Sequence, residues 1–525
     1  MQYASVIPYQ KTPRGVDFFD YGIPDDLIGS IVPGSLVKIP LRNTERLGVV
    51  ASVQDTTVAK KPKNILSQES YSLWASPQRL EFLRWFADYY YVSLPTAFHT
   101  LHQLYTKKAF FEMQKETERD VIPEPQCVLI QTEEDREGFL QKTIQAQQGT
   151  VLLIEPEEYV AKEREKFFQQ HNIPYLSLFG SHSKKIWTAA QEKILANEAV
   201  VIIGSRKALF LAMSDTTVII DDEHEKALKQ YDLNPRYRAG VVADFLAQQG
   251  HSPIRQLFLV SKTPSVWTWK QVEQGRYTLR DSRTKNLPAV QIVDMNHFTK
   301  QGWLSDVAHD ALSQNGKVFV FFNRIGFQTI GACQSCGHTT PTTATTCIRC
   351  HGTDIRIIRK GTVQLETEIA QAFPGKRIQR IDSTTDLTGV TIDADIIIGT
   401  EKVLRVLPLS AFTAVIVLSV DHLLTFPHYQ SEERVFQLLV ALQDQSRPLI
   451  IQTHAPHHPL WSRVIQNDVP GFLTAEYAMR KMLRLPPAQS YWLIRPQHST
   501  DVLKVTERPE IAGIDPQSII DVVDE

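Results

Sequence analysis

Hydrophobic residues along most of the chain form short continuous runs that alternate with helical segments. The runs CVLIQ, TVLLIEP, AVVIIGS, TTVIIDD and QLFLVSK lie between residues 127 and 262. A second series lies between residues 290 and 453 and consists of VQIVDM, KVFVFFN, RIQRID, ADIIIGT, TAVIVLSV and RPLIIQT. Continuous apolar runs of this kind are typical of parallel strands that are buried on both faces of a sheet. The pattern therefore predicts an α/β fold with two tandem doubly wound lobes.

The first hundred residues follow a different pattern. SLVKIPLR and RLGVVASV alternate apolar and polar residues, as half-buried strands do. A helical stretch follows, in which Leu80, Leu83, Phe86 and Ala87 recur at helical spacing. Residues 106–125 are charged and end in prolines, which predicts a linker. We therefore expect a β-rich N-terminal domain at residues 1–105 that is joined by this linker to the two lobes.

Composition narrows the class of protein without deciding its function. Hydrophobic residues make up 42% and charged residues 22% of the 525 positions, as in an ordinary globular protein. The chain has no apolar run of the roughly 18 residues that a membrane helix needs, and its N-terminus has no signal-peptide core, so we expect a cytoplasmic protein. The net charge of −2 means that contacts to nucleic acid must come from local patches.

Four of the five cysteines lie within eighteen residues. They form two CxxC pairs, in the segments CQSC and CIRC, at Cys333, Cys336, Cys347 and Cys350. Two such pairs separated by a short loop can place four thiolates around one ion, so the spacing predicts a zinc ribbon with one structural Zn²⁺. The alternative is a set of redox-active or free thiols. The remaining cysteine, Cys127, begins an apolar run and is expected in the core.

A second chemical signal is the segment VIIDDEHE, residues 218–225. An apolar strand that ends in acidic residues and a histidine resembles the magnesium-binding segment of helicase-type ATPases. Asp221 would then hold the ion through water, Asp222 would orient the attacking water, and His224 follows them. The alternative is a strand that simply ends in a solvated acidic loop.

Several short fragments, taken together and in order, resemble the primosomal protein N′ family of replication-restart helicases. They are IIGSRKALF (202–210), DDEHEKALKQ (221–230), PRYRAGVVA (235–243), SKTPS (261–265), FFNRIGF (321–327), IIIGTEKVL (396–404) and EERVFQLL (432–439). The resemblance implies that the two lobes are RecA-like helicase lobes. It also implies the domain bounds 126–288 for lobe 1, 289–487 for lobe 2 with the zinc ribbon at about 331–360, and 488–525 for a remnant C-terminal domain.

The N-terminal segment FFDYGIP resembles the family's small domain that captures a DNA 3′ end. The resemblance implies an end-binding pocket formed by Phe19, Asp20, Tyr21 and, with a less secure alignment, Lys63. An aromatic side chain can stack on the terminal base, and a polar group can recognise a free hydroxyl. The alternative is that Phe19 and Tyr21 only pack a β core.

A loop after the strand-end acids mixes basic and aromatic residues. The family has an aromatic-rich loop at this place that faces DNA. The resemblance implies a similar role here for Lys229, Gln230, Tyr231, Arg236 and Tyr237. The alternative is a solvated loop without a ligand.

The sequence departs from the family at the elements that act on ATP. The phosphate-binding loop is expected at residues 129–136, where the sequence reads LIQTEEDR, with Glu133, Glu134 and Asp135 in place of glycine and lysine. Carboxylates at that place would repel a triphosphate. The family's Gly-Arg-rich arginine-finger segment is replaced by VALQDQSRP, in which only Arg447 remains. These losses predict a degenerate member of the family in which ATP and Mg²⁺ are doubtful cofactors.

Three functions remain open at this stage. The first is a replication-restart (primosome assembly) factor that binds forked DNA or 3′ ends without hydrolysing ATP, with replication-restart proteins and single-strand-binding protein as partners by resemblance and a nucleoid-associated bacterial location. The second is an active ATP-dependent 3′→5′ DNA helicase with an atypical phosphate loop. The third is a pseudo-helicase scaffold for protein partners. DNA-stimulated ATPase activity and salt-dependent DNA binding would separate them.

Overall fold

The structure is a computed structural model of the whole chain. It describes the chain except at residues 1, 70–76, 103–123, 148, 180–183, 212–215, 249–253, 284–288, 297–303, 323–329, 334–335, 337–338, 342–345, 348, 354, 360–361, 382–384, 386–392, 406, 444–446, 495–501, 507–518 and 524–525. The predicted linker falls almost entirely outside the described residues, as does most of the fragment FFNRIGF. The chain divides into two compact units, one of residues 1–283 with 473–525 and one of residues 284–472.

The N-terminal part of the first unit is an antiparallel sheet with a hydrophobic core. Its strands, in order across the sheet, are Phe19–Gly22, Tyr3–Pro8, Thr44–Gln54, Leu36–Leu41 and Ser67–Gln68. A short 3₁₀ helix, Asp25–Leu27, follows the second strand of the chain. Two helices, Pro77–Tyr89 and Leu94–His102, come after the sheet. The predicted helical positions are buried in the first of these helices, so the β-rich N-terminal domain and its helical end are confirmed.

A seven-stranded, fully parallel sheet forms the larger part of the first unit. Its strands, in order across the sheet, are Thr278–Asp281, Gln126–Leu129, Ile254–Ser261, Thr216–Asp221, Val151–Ile154, Val201–Gly204 and Tyr175–Ser177. The α-helices of this part are Glu133–Ala146, Glu158–Gln170, Lys184–Leu195, Ala239–Gln248 and Val266–Glu273. The 3₁₀ helices are Arg206–Leu211 and Lys226–Leu228. Every apolar run of the first series contains one of these strands.

The second unit contains a six-stranded parallel sheet. Its strands, in order, are Val290–Asp294, Leu449–Thr453, Ala414–Val417, Val318–Phe321, Ile396–Gly399 and Ile378–Ile381. The helices are Asp306–Ser313, Thr362–Ala372, Asp421–Leu424, Ser431–Ala441 and Leu460–Ile465, with 3₁₀ turns at Glu401–Arg405 and Leu409–Ala411. The six predicted runs are the six strands, which confirms two tandem α/β lobes with parallel sheets.

Two smaller antiparallel sheets complete the fold. The strands Thr339–Pro341, Ile330–Cys333 and Ile355–Arg359 form one in the second unit, within the predicted zinc-ribbon segment. The other follows the helix Val469–Met482 and consists of Leu503–Val505, Tyr491–Ile494 and Ile519–Val523. Ile494 of this C-terminal sheet packs against Tyr91 of the N-terminal part. The predicted domain bounds stay predictions.

Glycines at two strand ends allow a close approach of the chain. A Cβ atom at Gly204 would lie 2.4 Å from the Cβ of Ala208, and one at Gly399 would lie 2.3 Å from the carbonyl oxygen of Ile381. Neither space admits a larger residue without displacement of its neighbours. No helix within the described part of the chain is long and apolar enough to cross a membrane.

Candidate functional site

The carboxyl ends of neighbouring parallel strands bring acidic residues together in the first unit. The strand Val151–Ile154 pairs with Thr216–Asp221, so Glu155 comes to lie beside Asp221 and Asp222. Open α/β sheets bind their ligands at this edge. The structure therefore places Asp221 and Asp222 where the sequence predicted a magnesium-binding pair.

Two arginines fill this acidic site. The Nη1 atom of Arg136 contacts Oδ1 of Asp221, and its Nη2 atom lies 3.1 Å from Oδ2 of Asp222. The Nη2 atom of Arg164 lies 3.3 Å from Oδ2 of Asp221 and 3.0 Å from Oε2 of Glu133. Arg136 and Arg164 are 2% and 4% exposed. We call Glu133, Arg136, Glu155, Arg164, Asp221 and Asp222 the ion cluster.

The ion cluster contains two cations and four carboxyl groups. Burial and the charges of the arginines shift the pKa values of these carboxyl groups in different directions. Burial raises the pKa of Glu155 to about 7, although Arg164 and Arg136 oppose the shift. Burial alone would raise the pKa of Glu133, but Arg136 and Arg164 lower it to about 2. Burial also opposes ionisation of Asp222, yet the charge of Arg136 lowers its pKa. The arginines thus favour the ionised forms of Glu133 and Asp222, while Glu155 is about half protonated near pH 7.

The N-terminus of the helix Glu133–Ala146 is capped by side chains of its own segment. Thr132 caps it by accepting a hydrogen bond from the backbone N–H of Asp135, and the Asp135 side chain accepts one from the Thr132 N–H. This capping box and the acidic first turn occupy the helix end that would otherwise attract an anion. A triphosphate would therefore meet this closed helix start in addition to the carboxylate repulsion expected from the sequence. Arg136, from the same segment, fills the place in front of the acids.

Glu223 has a structural role that the sequence did not indicate. It has no exposed surface, and its carboxylate accepts hydrogen bonds from the Ser265 backbone N–H at 2.7 Å and from the Thr268 hydroxyl at 2.7 Å. The Arg238 guanidinium donates to the Glu223 carbonyl at 3.0 Å. These bonds tie the acidic loop to the start of the helix Val266–Glu273. Asp222 before it adopts a φ of 43°, a conformation that aspartate tolerates better than most residues. His224, the third residue suggested for catalysis, is half-buried, and its Nε2 atom lies 3.9 Å from Glu225.

The residues of the predicted DNA-facing loop separate into buried and exposed members. Gln230 is buried and donates to the carbonyls of Leu233 and Pro235, which holds the loop in shape. Tyr237 is 1% exposed, and its ring packs against Phe210.

Of the five predicted residues of this loop, Tyr231 is the exposed one. Tyr231 is 45% exposed, and the ammonium group of Lys229 lies 5.6 Å from its ring centroid. Lys229 itself is 6% exposed, and Arg236 is half-buried. The loop can therefore offer one aromatic face, that of Tyr231, to a ligand.

Three of the four predicted end-binding residues lie on the edge strand Phe19–Gly22. Phe19 is exposed, whereas the ring of Tyr21 belongs to the domain's hydrophobic core. Asp20 accepts hydrogen bonds from the hydroxyls of Ser5 and Thr57, each at 2.7 Å. Lys63 is exposed, and its carbonyl accepts a bond from Gly22 N–H at 2.9 Å. The Lys63 ammonium group donates to the Arg42 carbonyl at 3.4 Å.

Three of the four clustered cysteines come together. The thiols of Cys336, Cys347 and Cys350 all lie within 4.8 Å of one another, and those of Cys336 and Cys347 are 3.6 Å apart. Backbone hydrogen bonds at Cys350 and Arg349 lower the pKa of the Cys347 thiol. Cys333 ends the strand Ile330–Cys333, and its side chain lies outside the described residues. A convergent set of soft thiol ligands fits a zinc ion, so the group could bind a metal ion.

Other candidate residues have structural partners. Cys127 is completely buried, and burial raises the pKa of its thiol, as expected of a core residue. Arg447 donates to the Ser410 carbonyl at 3.1 Å within the second unit.

Arg136, Arg164 and Glu155 were not predicted as site residues. Glu155 carried a signal, because it directly follows an apolar strand beside the one that ends in Asp221. Arg136 and Arg164 lie in highly charged helices, where a buried arginine looks like any exposed one. Only the packing of both helices against the strand ends reveals their role.

Comparisons with known proteins agree with this architecture. A family model described as a 3′DNA-binding domain (3′BD) matches residues 11–102. The Replication restart protein PriA of Synechocystis sp. is 28% identical over 413 residues, which cover 66% of this chain and 49% of that protein. The protein of the same name from Rickettsia conorii is 25% identical over 546 residues, covering 89% and 83%. The chain spans about half the length of the Synechocystis relative.

Solved helicase structures share only a distant likeness. RecG bound to a three-way DNA junction matches with a TM-score of 0.39 and 8% identity over 72% of this chain and 46% of that one. The DUF1998 helicase MrfA bound to DNA and AMPPNP matches with a TM-score of 0.37 and 11% identity over 65% and 49%.

An antiparallel N-terminal domain matched by the 3′DNA-binding model, followed in the chain by two parallel α/β sheets, gives a helicase-like architecture. The chain is similar to proteins of the primosomal protein N′ family, also named PriA.

Proposed function

We propose that this chain is a replication-restart factor that binds forked DNA or DNA 3′ ends and does not hydrolyse ATP. The ion cluster is the observation that carries the proposal. Phosphoryl transfer depends on a metal ion held by strand-end acids and on a loop that cradles the phosphates. Here the guanidinium of Arg136 contacts both acids, and a helix that starts within the expected loop is closed by its own cap.

Displacement of this arrangement by Mg²⁺ and a nucleotide is energetically unfavourable. The ligand would have to expel the buried guanidinium of Arg136 from its contacts with Asp221 and Asp222 and leave it the longer contact with Glu133, at 3.4 Å. Leaving one member of a buried ion pair uncompensated costs about 3–5 kcal/mol. The triphosphate would also face Glu133 and Glu134 in the first turn of the helix.

DNA binding is proposed to rest on two surfaces of the first unit. One is the edge strand with Phe19 and Asp20 together with Lys63, in the segment matched by the 3′ DNA-binding model. The other is the loop with the exposed ring of Tyr231. Tyr21, Lys229, Gln230 and Tyr237 would support these surfaces from within, and Arg236 would flank the second. One structural Zn²⁺ on Cys333, Cys336, Cys347 and Cys350 would stabilise the small sheet of the second unit.

The experiment is a titration of labelled forked DNA with the full chain, followed by fluorescence anisotropy, with and without Mg²⁺ and ATP. We expect salt-dependent binding whose affinity does not change with nucleotide. Binding that strengthens or weakens with ATP would contradict a filled nucleotide site. Absence of DNA binding at low salt would favour a scaffold for protein partners.

A further inference from the structure

The helix Val469–Met482 ends in an exposed apolar turn. Met482 is 76% exposed and Leu483 is 53% exposed, although both are large hydrophobic side chains. Lys481 and Arg484 flank them in the chain and are exposed as well. Scattered exposed apolar residues are normal on protein surfaces, so this pair becomes informative through its surroundings. We call Lys481, Met482, Leu483 and Arg484 the tip.

Backbone hydrogen bonds fix the conformation of the tip. The Leu485 N–H donates to the Arg480 carbonyl at 2.8 Å, and the Arg484 N–H donates to the Lys481 carbonyl at 3.4 Å. These two bonds define a Schellman motif, which satisfies carbonyl groups at the end of a helix. Arg484 occupies the left-handed position of the motif, with a φ of 54°. Glycine is the usual residue there because a Cβ atom is strained in this conformation, so arginine at this place costs stability.

Buried polar contacts hold the chain on both sides of the tip. Arg480 has no exposed surface, and its Nη2 atom lies 2.8 Å from Oε1 of Glu476. The Nη1 atom of Arg480 donates to the Pro486 carbonyl at 3.3 Å. The ammonium group of Lys270 donates to the Pro487 carbonyl at 2.7 Å, which ties the chain after the tip to the first lobe. The tip therefore projects from a fixed base.

The charge of this stretch favours an anionic partner. Glu476 is the one acidic residue between residues 473 and 490, and it is 4% exposed and paired with Arg480. The exposed charges of the stretch are those of Lys481 and Arg484, and both are positive. Two apolar side chains between two cations are complementary to DNA, in which stacked bases lie between two rows of phosphates.

The size of the apolar surface favours DNA over a protein partner. A stable protein interface buries about 800 Å² on each partner, far more than two side chains supply. Proteins that kink or open DNA insert single apolar side chains, leucine and methionine among them, between neighbouring bases. Methionine suits such a contact because its unbranched thioether adapts to irregular gaps. Met482 and Leu483 together match this second kind of contact.

We propose that Met482 and Leu483 form a wedge that enters the base stack at the junction of a DNA fork, while Lys481 and Arg484 contact phosphates beside it. The inference rests on the proposed DNA-binding function and adds to it a contact with the duplex part of the fork. A base pair at a junction lacks one stacking neighbour, so it opens at a lower energetic cost than a pair inside a duplex. Binding energy alone drives this opening, and ATP is not required.

The test places the fluorescent base 2-aminopurine at the junction of a forked DNA, because its emission rises when it loses its stacked neighbours. Binding of the full chain, followed in parallel by anisotropy, is expected to raise the emission. Met482→Ala combined with Leu483→Ala should abolish the rise and weaken fork binding about fivefold or more, without a change in single-strand binding. Met482→Leu keeps the apolar volume and should retain the rise. Ile465→Ala, at an exposed apolar residue of the second unit, is the matched control.

Arg484→Gly separates a role in binding from a role in the fold. Glycine is the preferred residue at the left-handed position after a helix, so the melting temperature of this variant should be no lower than that of the wild type. The variant should bind forked DNA more weakly and reduce the slope of log affinity against log salt by about 0.9, the value for one lost phosphate contact on duplex DNA. An unchanged affinity and slope would overturn the phosphate contact of Arg484.

Two results would overturn the wedge and leave the proposed function standing. One is binding of forked DNA by the wild type without a rise in emission. The other is a full rise in the variant that carries both alanines. Either result would leave the tip as a contact for an acidic protein partner. Absence of any binding to forked DNA would instead overturn the proposed function and the wedge together.

Discussion

The Nε atom of Arg164 lies 3.3 Å from Oε1 of Glu155, a carboxyl group without exposed surface. The same guanidinium contacts Asp221 and Glu133. Glu155 therefore shares its cation with two other acids, which explains why the charge of Arg164 does not offset the effect of burial on its pKa. The ion cluster has four carboxyl groups and two guanidinium groups, and protonation of Glu155 removes one of the two excess negative charges.

Glu155 should make stability depend on pH. Its pKa rises from an ordinary 4.5 to about 7 in the folded protein, so between these values the folded state binds more protons than the unfolded one. Stability contributed by the protonated group is therefore lost as the pH rises from about 4.5 through 7. Glu155→Gln should remove this loss and raise the free energy of unfolding at pH 8 by about 2–3 kcal/mol.

The measurement for Glu155 is urea unfolding of both proteins at several values between pH 5 and 8. Glu163→Gln, an exposed site on the helix Glu158–Gln170 that carries Arg164, is the control and should follow the wild type. If the Glu155→Gln protein lost stability with pH as steeply as the wild type, Glu155 would not be the titrating group.

Arg136 should be necessary for the stability of the first lobe. Arg136→Gln leaves Asp221 and Asp222 without their shared cation, so we expect a loss of about 3–5 kcal/mol in the free energy of unfolding. Lys162→Gln breaks an exposed pair with Glu158 on the neighbouring helix and should cost less than about 1 kcal/mol. The measurement is denaturant unfolding of the two variants. Equal losses in the free energy of unfolding would show that Arg136 stabilises the fold no more than an exposed ion pair does.

The cysteine group should bind one zinc ion per chain. Cys347→Ser removes a central thiol of the group and should abolish stoichiometric zinc, measured by atomic emission on purified protein. Cys127→Ala, at the buried cysteine of the first lobe, should retain the metal even though it creates a small cavity. Zinc retained in full by the Cys347→Ser protein would exclude this thiol as a ligand.

Two tyrosines of one loop should respond differently to substitution. Tyr231→Ala removes an exposed ring and should weaken single-stranded DNA binding about fivefold or more, since stacking is worth about 1–3 kcal/mol per base, with little change in melting temperature. Tyr237→Ala removes a buried ring that packs on Phe210 and should cost about 3–5 kcal/mol of stability. Unchanged DNA affinity in a folded Tyr231→Ala protein would remove this loop from the interface.

The sequence predicted the sheets better than the site. Apolar runs such as TVLLIEP and ADIIIGT are long enough and bounded clearly enough to identify buried parallel strands, and each contains one. The short strands Tyr175–Ser177 and Thr278–Asp281 were not predicted. They lie at the edges of the sheet, where a strand does not need a continuous run of buried residues. The length and hydrophobicity of an apolar run therefore determine whether its strand can be predicted from the sequence.

Site residues depend on contacts between distant parts of the chain. The sequence of the loop does not distinguish Tyr231 from Tyr237, since the difference lies in whether the ring packs against Phe210. In the same way, the acids of LIQTEEDR indicated the loss of a phosphate loop, but the partner of Arg136 is 86 residues away at Asp222. The sequence indicated that a phosphate-binding loop is missing, and the packing placed Arg136 against the acids.

The most direct test of a filled nucleotide site is steady-state ATP hydrolysis by the purified full chain, with and without forked DNA that it is shown to bind. We expect no hydrolysis above the background of the Asp221→Asn variant, whether or not DNA is present. Hydrolysis that rises with forked DNA and disappears in the Asp221→Asn variant would contradict the account, because Asp221 would then hold a metal ion rather than Arg136.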